Sequence, residues 1–130
     1  MSKGELKDIV RYWFEKAAES LAAATDELNA GRPVFSVNRI YYACFYGVSA
    51  VFLQQKLQFK KHSGVRAAFH KNLVKTGLIS QEYGKLYDEL FEARQRGDYI
   101  EFVNFEKGQV QAWLDMASKF IIATKKLTTI

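Results

Sequence analysis

The stretch Arg39-Ile40-Tyr41-Tyr42-Ala43-Cys44-Phe45-Tyr46-Gly47-Val48-Ser49-Ala50-Val51-Phe52-Leu53 decides the fold. Wound as a helix, Tyr41 to Leu53 is apolar or aromatic nearly all round. It is too short to cross a bilayer, which takes about 20 apolar residues. A helix with no polar face is either central in its bundle or covered by a second surface. In a chain of 130 residues a fully central helix is hard to surround. A homodimer contact over the surplus face is therefore expected, with Tyr41, Tyr42, Phe45 and Tyr46 as its candidates. Ala43, Gly47 and Ala50 form a strip of small residues that lets another helix approach closely. Cys44 lies in the same stretch and reads as a small core residue, not a nucleophile.

Reading outward, this second helix spans about Pro33 to Leu57, with Pro33 suited to its first turn. A first helix is predicted from about Gly4 to Ala30. Its stripe is Leu6, Ile9, Val10, Trp13, Ala17, Leu21, Ala24 and Leu28, at three- and four-residue steps. Gly31 stops it. Downstream, Ser63 is predicted to cap a third helix, about Gly64 to Thr76, that buries Val65, Phe69 and Leu73. Ser80 is predicted to cap a fourth, with Tyr83, Leu86, Tyr87, Leu90 and Phe91 on its stripe. Extending that stripe one turn lands on Arg94, so a guanidinium points to the core side and needs a specific partner there. Gly97 is expected to break the helix. Asn104 is a candidate cap for a fifth, which runs to about Leu127. No strand pattern competes, and one proline and eight glycines argue against a turn-rich all-β fold. The expectation is one all-α domain over residues 1–130, a five-helix, mostly antiparallel up-and-down bundle, homodimeric.

Composition removes several functions. The chain is 48% hydrophobic and 25% charged, as a folded soluble domain is. Its N-terminus carries charge where a signal peptide puts apolar residues, so a cytoplasmic protein with no membrane partner is expected. The lone Cys44 offers no internal disulfide. His62 and His70 are the only histidines, with no nearby carboxylate in sequence, so no metal and no cofactor is expected. Neither a nucleophile elbow nor a properly spaced phosphate loop is present. Asp88, Glu89 and Glu92 read as solvated carboxylates on the outer side of the fourth helix.

The charge pattern is more informative. Lys plus Arg number 19 against 14 Asp plus Glu, a net charge of +5. Between Leu28 and Gln81 there is no acidic residue, while Arg32, Arg39, Lys56, Lys60, Lys61, Arg66, Lys71 and Lys75 all fall there. Such a segment attracts an anion or acts as a solvated face that keeps the chain soluble. Two constellations stand out within this pattern. Lys60, Lys61 and His62, leading into Arg66 and His70 on the third helix, suit an anion site or a capped helix with a basic flank. Arg94-Gln95-Arg96-Gly97-Asp98-Tyr99 suits a groove for phosphate or RNA, with Tyr99 stacking on a base, or a helix stop held by an Arg–Asp pair.

Four segments together resemble a known family. They are Asn38-Arg39-Ile40-Tyr41-Tyr42-Ala43-Cys44-Phe45-Tyr46, Lys61-His62-Ser63-Gly64-Val65, Phe69-His70-Lys71-Asn72-Leu73-Val74-Lys75-Thr76-Gly77, and Arg94 to Tyr99. In order and spacing they are similar to the HEPN domain (higher eukaryotes and prokaryotes nucleotide-binding), in its small stand-alone prokaryotic branch. The resemblance implies a helical bundle that commonly dimerises. It also implies a minimal nucleotidyltransferase as partner, often in a toxin–antitoxin pair, and binding of nucleotide or RNA. Some members are metal-independent ribonucleases, whose signature is an Arg, four to six residues, then a His. Here Arg94 stands at the expected place, but five residues on is Tyr99, and no histidine follows. The expected function is therefore a binding module. The alternatives are a ribonuclease using Arg94, Asp98 and Tyr99, with His62 supplied from elsewhere in the fold, and a purely structural dimeric interaction protein.

Overall fold

Ser2 opens the first helix, α1 (Lys3–Asn29): its Oγ accepts the Glu5 N–H at 3.1 Å and satisfies one of the free donors of the first turn. The structure, a computed structural model, describes residues 1–130. α1 buries Val10, Phe14, Ala17, Ala24 and Leu28. Gly31, at φ +79°, takes the left-handed conformation that closes the helix. Pro33 then starts α2 (Pro33–Gln54). Both long helices agree with the apolar periodicity, although α2 ends a turn short of Leu57.

Four further boundaries differ from expectation. The third helix, α3 (His62–Phe69), begins after Lys61, so Ser63 is inside its first turn and caps nothing. It passes into a π-helical segment, His70–Val74, and not a continuous α-helix to Thr76. Ser80 does cap α4 (Gln81–Tyr99), its Oγ accepting the Glu82 N–H at 3.1 Å. Gly97 does not break α4, which runs two residues further. The reason is lateral: a Cβ on Gly97 would lie 3.1 Å from Val34 Cγ1, so glycine lets α2 pack close to α4 there. The fifth helix, α5 (Lys107–Lys125), starts after Glu106 and not at Asn104.

The result is an all-α bundle of five helices without strands. α1 lies along α2, while α4 and α5 pack against its other sides. Tyr87 stands at the centre of an aromatic core, its ring 4.9 Å from Phe69, 5.9 Å from Tyr41 and 6.1 Å from Phe120. No helix is long and apolar enough to cross a membrane.

The packing also narrows the expected surplus face. Ile40, Tyr41, Cys44, Val48, Val51 and Phe52 are sealed by the chain's own helices. Tyr41 therefore has no surface to offer a partner and leaves the set of interface candidates. What stays half-covered is a stripe at helical spacing: Asn38, Tyr42, Phe45, Ser49 and Leu53, with Tyr46 beside it against Trp13.

Of the small-residue strip, Gly47 carries the closest helix contact. A Cβ there would sit 2.9 Å from Thr124 Oγ1 and 3.0 Å from Ile121 Cδ1 of α5. Thr124 is fully buried and β-branched, so it yields poorly. Gly47→Ala is expected to lower stability by about 1–2 kcal/mol in denaturant unfolding, despite alanine's better helix propensity. Trimming the opposing side chain in Gly47→Ala/Thr124→Ala should recover part of that loss relative to the sum of the single changes. An unchanged or higher midpoint for Gly47→Ala would contradict the packing.

Candidate functional site

Arg94 is the buried charge of the molecule, 8% exposed in the last turns of α4. Its guanidinium carbon lies 4.8 Å from the centre of the Tyr41 ring and 5.6 Å from that of Tyr42. Nη1 donates to Asp98 Oδ2 at 3.1 Å, an i,i+4 pair made by the helix that continues through Gly97. Asp98 is held in turn by Asn38, whose Nδ2 donates to Oδ1 at 3.3 Å. Nε of Arg94 is buried with no hydrogen-bond partner. Cation–π contact and one ion pair offset part of the desolvation, yet donor capacity remains.

His62, the first residue of α3, reaches the same tyrosines. Its Nδ1 is 2.7 Å from the Tyr41 hydroxyl, and its ring stacks on Phe45 at 4.3 Å between centres and meets Tyr42 edge-on at 5.7 Å. Burial pushes the Tyr41 phenol up to about 12, so the hydroxyl keeps its proton. Burial, and then the positive charge of Arg94, hold the His62 imidazole below its ordinary value. A neutral imidazole that accepts the Tyr41 proton at Nδ1 carries its own proton on Nε2. Arg94 and His62 thus meet on the same two tyrosine rings where α2, α3 and α4 come together, and in the tautomer whose Nδ1 accepts from Tyr41 the His62 Nε2–H is a donor.

The remaining expected site residues are not there. Arg66 and His70 stand on another face, where both donate to one oxygen: Asp88 Oδ1, at 2.8 Å from Arg66 Nε and 2.8 Å from His70 Nε2. Glu92 lies 3.6 Å from Arg66 Nη2. The pair is already neutralised and does not join His62 in an anion site. Asp88 and Glu89 are correspondingly not idle solvated carboxylates, since Glu89 accepts the Trp113 indole N–H at 3.0 Å. Lys60 and Lys61 are exposed in the α2–α3 link. Arg96 is exposed and rests over Phe105 at 5.6 Å, away from Arg94. Tyr99 is 78% exposed at the end of α4. No cluster of His, Cys, Asp and Glu is placed to hold a metal ion. Asn38 and Tyr42 join the site, and the sequence reading gave no site role to Asn38.

Comparison with known proteins identifies the family. The family model described as HEPN domain matches residues 10–127. The chain belongs to the HEPN family. It is 47% identical over 123 residues to a protein of Thermotoga maritima named "UPF0332 protein", covering 95% of this chain and 93% of that one. Over 124 residues it is 35% identical to a Methanocaldococcus jannaschii protein named "Putative toxin MJ0142", with 95% and 82% of the two chains covered. A second protein of that organism, named "Putative toxin MJ0605", is 30% identical over 95 residues, 73% of this chain and 71% of that one. Within this HEPN fold no histidine follows Arg94, and His62, from a different helix, reaches the same two tyrosine rings as Arg94.

The depressed His62 value has a sign that can be checked. The folded state disfavours the charged imidazole, so the unfolded chain binds more protons below the ordinary value of about 6.5. Stability from this group is complete above that pH and is lost as pH falls. Melting temperature is expected to drop more steeply from about pH 7 to pH 5 in the wild type than in His62→Asn, whose amide oxygen can still accept from Tyr41. Parallel profiles would show that His62 is not held neutral by its surroundings.

Proposed function

We propose that this HEPN protein is a cytoplasmic, homodimeric binding module that takes a nucleotide or RNA phosphate in the Arg94–His62 cleft. Its protein partner on this reading is a minimal nucleotidyltransferase, in a toxin–antitoxin arrangement. The observation that carries the reading is a buried guanidinium with one nitrogen left unpaired, packed on the same two tyrosine rings as His62. An anion that competes with Asp98 for the guanidinium gains charge-assisted hydrogen bonds, and a cation or a neutral apolar ligand does not. Asp98 holds the guanidinium until a ligand competes for it. The relatives whose names carry the word toxin support the toxin–antitoxin part.

The donor character of the cleft also favours binding over ribonuclease chemistry. Attack by a 2′-hydroxyl needs a base to take its proton. In the tautomer whose Nδ1 accepts from Tyr41, the His62 Nε2 is protonated and has no lone pair to serve as that base.

Titration of short single-stranded RNA and of mononucleotides at low and moderate salt tests this reading. Binding should weaken as salt rises, and Arg94→Ala should lower affinity about ten- to hundredfold at fixed salt. Absence of binding at low salt would remove the ligand and leave the protein partnership alone. RNA cleavage that is lost in both Arg94→Ala and His62→Ala would overturn the binding reading in favour of an enzyme.

A further inference from the structure

The α4–α5 link holds Phe102 in a left-handed conformation, φ +62°, with its side chain 99% exposed. For a bulky residue this backbone is strained, and full exposure gives nothing back within the chain. Its neighbours Tyr99 and Ile100 are 78% and 56% exposed. The link is acidic at Glu101 and Glu106. It forms an apolar knob with a negative rim.

The complementary shape is on the same molecule. An open, mainly apolar groove of about 500 Å³ runs between Trp13 of α1, Phe52 and Leu53 of α2, and Phe59 of the α2–α3 link. Lys60 lines it, Lys56 and Lys61 stand near in sequence, and this part of the chain has no carboxylate. Knob and groove therefore match in polarity and in sign of charge.

The two features lie at opposite ends of one stripe. Asn38, which binds Asp98 next to the knob, marks one end. Leu53, in the groove, marks the other. Between them run Tyr42, Phe45 and Ser49, all half-covered. The stripe is about 22 Å long at 1.5 Å per residue, and its midpoint is Phe45–Tyr46. A two-fold axis through that midpoint, perpendicular to α2, places each end of one copy over the opposite end of another.

We propose that a second copy of this chain lies antiparallel along the α2 stripe, with Phe102 of each copy seated in the Trp13–Phe52–Phe59 groove of the other. This rests on the homodimer reading above and specifies its seam. The contact is isologous and closes after two copies. Tyr99, Ile100 and Phe102 offer on the order of 400 Å² of exposed surface per knob. Two knobs with the surfaces they cover come to roughly 1,600 Å², the size of a specific interface. The Arg94–His62 clefts of the two copies then face each other across the axis, about 10 Å apart along α2.

Sedimentation equilibrium on the full chain at micromolar concentrations tests the seam, with melting followed on the same samples. The wild type is expected to be a dimer. Phe102→Asp should raise the dimer dissociation constant roughly a hundredfold or more, because both anchors are lost at once. Ser49→Arg, which fills the floor of the same groove, should do the same from the other side of the contact. Circular dichroism spectra should be unchanged, and Phe102→Gly should melt no lower as a monomer, since glycine takes φ +62° without strain. A dimer that survives Phe102→Asp or Ser49→Arg overturns this seam and leaves the homodimer reading standing. A monomeric wild type overturns both.

Discussion

A guanidinium held out of water against two tyrosine rings constrains the elements around it. An unpaired buried charge is too costly to keep, so Arg94 must have Asp98 one helical turn away. That pairing needs α4 to remain helical past Gly97, and the helix does so by trading a side chain at Gly97 for contact with Val34. The contact fixes the start of α2 against the end of α4, and α2 carries Tyr41 and Tyr42 to the cation. The Tyr41 hydroxyl lies 2.7 Å from His62 Nδ1, and burial and then the same cation hold that imidazole below its ordinary value. Each step follows from charge that has to be compensated in a low-dielectric setting.

This chain of dependence also separates two basic groups that look continuous in the sequence. The acid-free stretch from Leu28 to Gln81 suggests one positive field. In the fold, α4 supplies the missing carboxylates from outside that stretch. Asp88 and Glu92 pair with Arg66, and Asp88 also accepts a hydrogen bond from His70 Nε2–H. The positive charge of the stretch that stays exposed and unpaired lies with Arg39, Lys56, Lys60, Lys61, Lys71 and Lys75, of which Lys60 lines the groove.

Much of this was legible in the residues themselves. Periodicity placed α1, α2, α4 and α5, and Ser80, Pro33 and Gly31 marked ends where side-chain chemistry acts locally. Arg94 on the core stripe was readable because helical spacing alone turns it inward. The failures have a common origin in contacts between distant elements. Gly97 reads as a stop until Val34 is known to lie against it. Ser63 and Asn104 read as caps until neighbouring turns fix where the helices begin. The π-helical segment at His70–Val74 has no local signal, and neither does the meeting of Tyr41 with His62, 21 positions apart on separate helices. Homodimerisation inferred from an over-apolar α2 overstated the free surface, since most of that helix is sealed by its own chain and only the Asn38–Leu53 stripe is left.

The proximity of cation and imidazole is the centre of this account, and proton NMR of the His62 ring measures it directly. The His62 titration midpoint in the wild type is expected below the ordinary histidine value of about 6.5. In Arg94→Gln it should move upward while staying depressed by burial. A His62 midpoint that is the same in both proteins would mean that the guanidinium does not share its cleft.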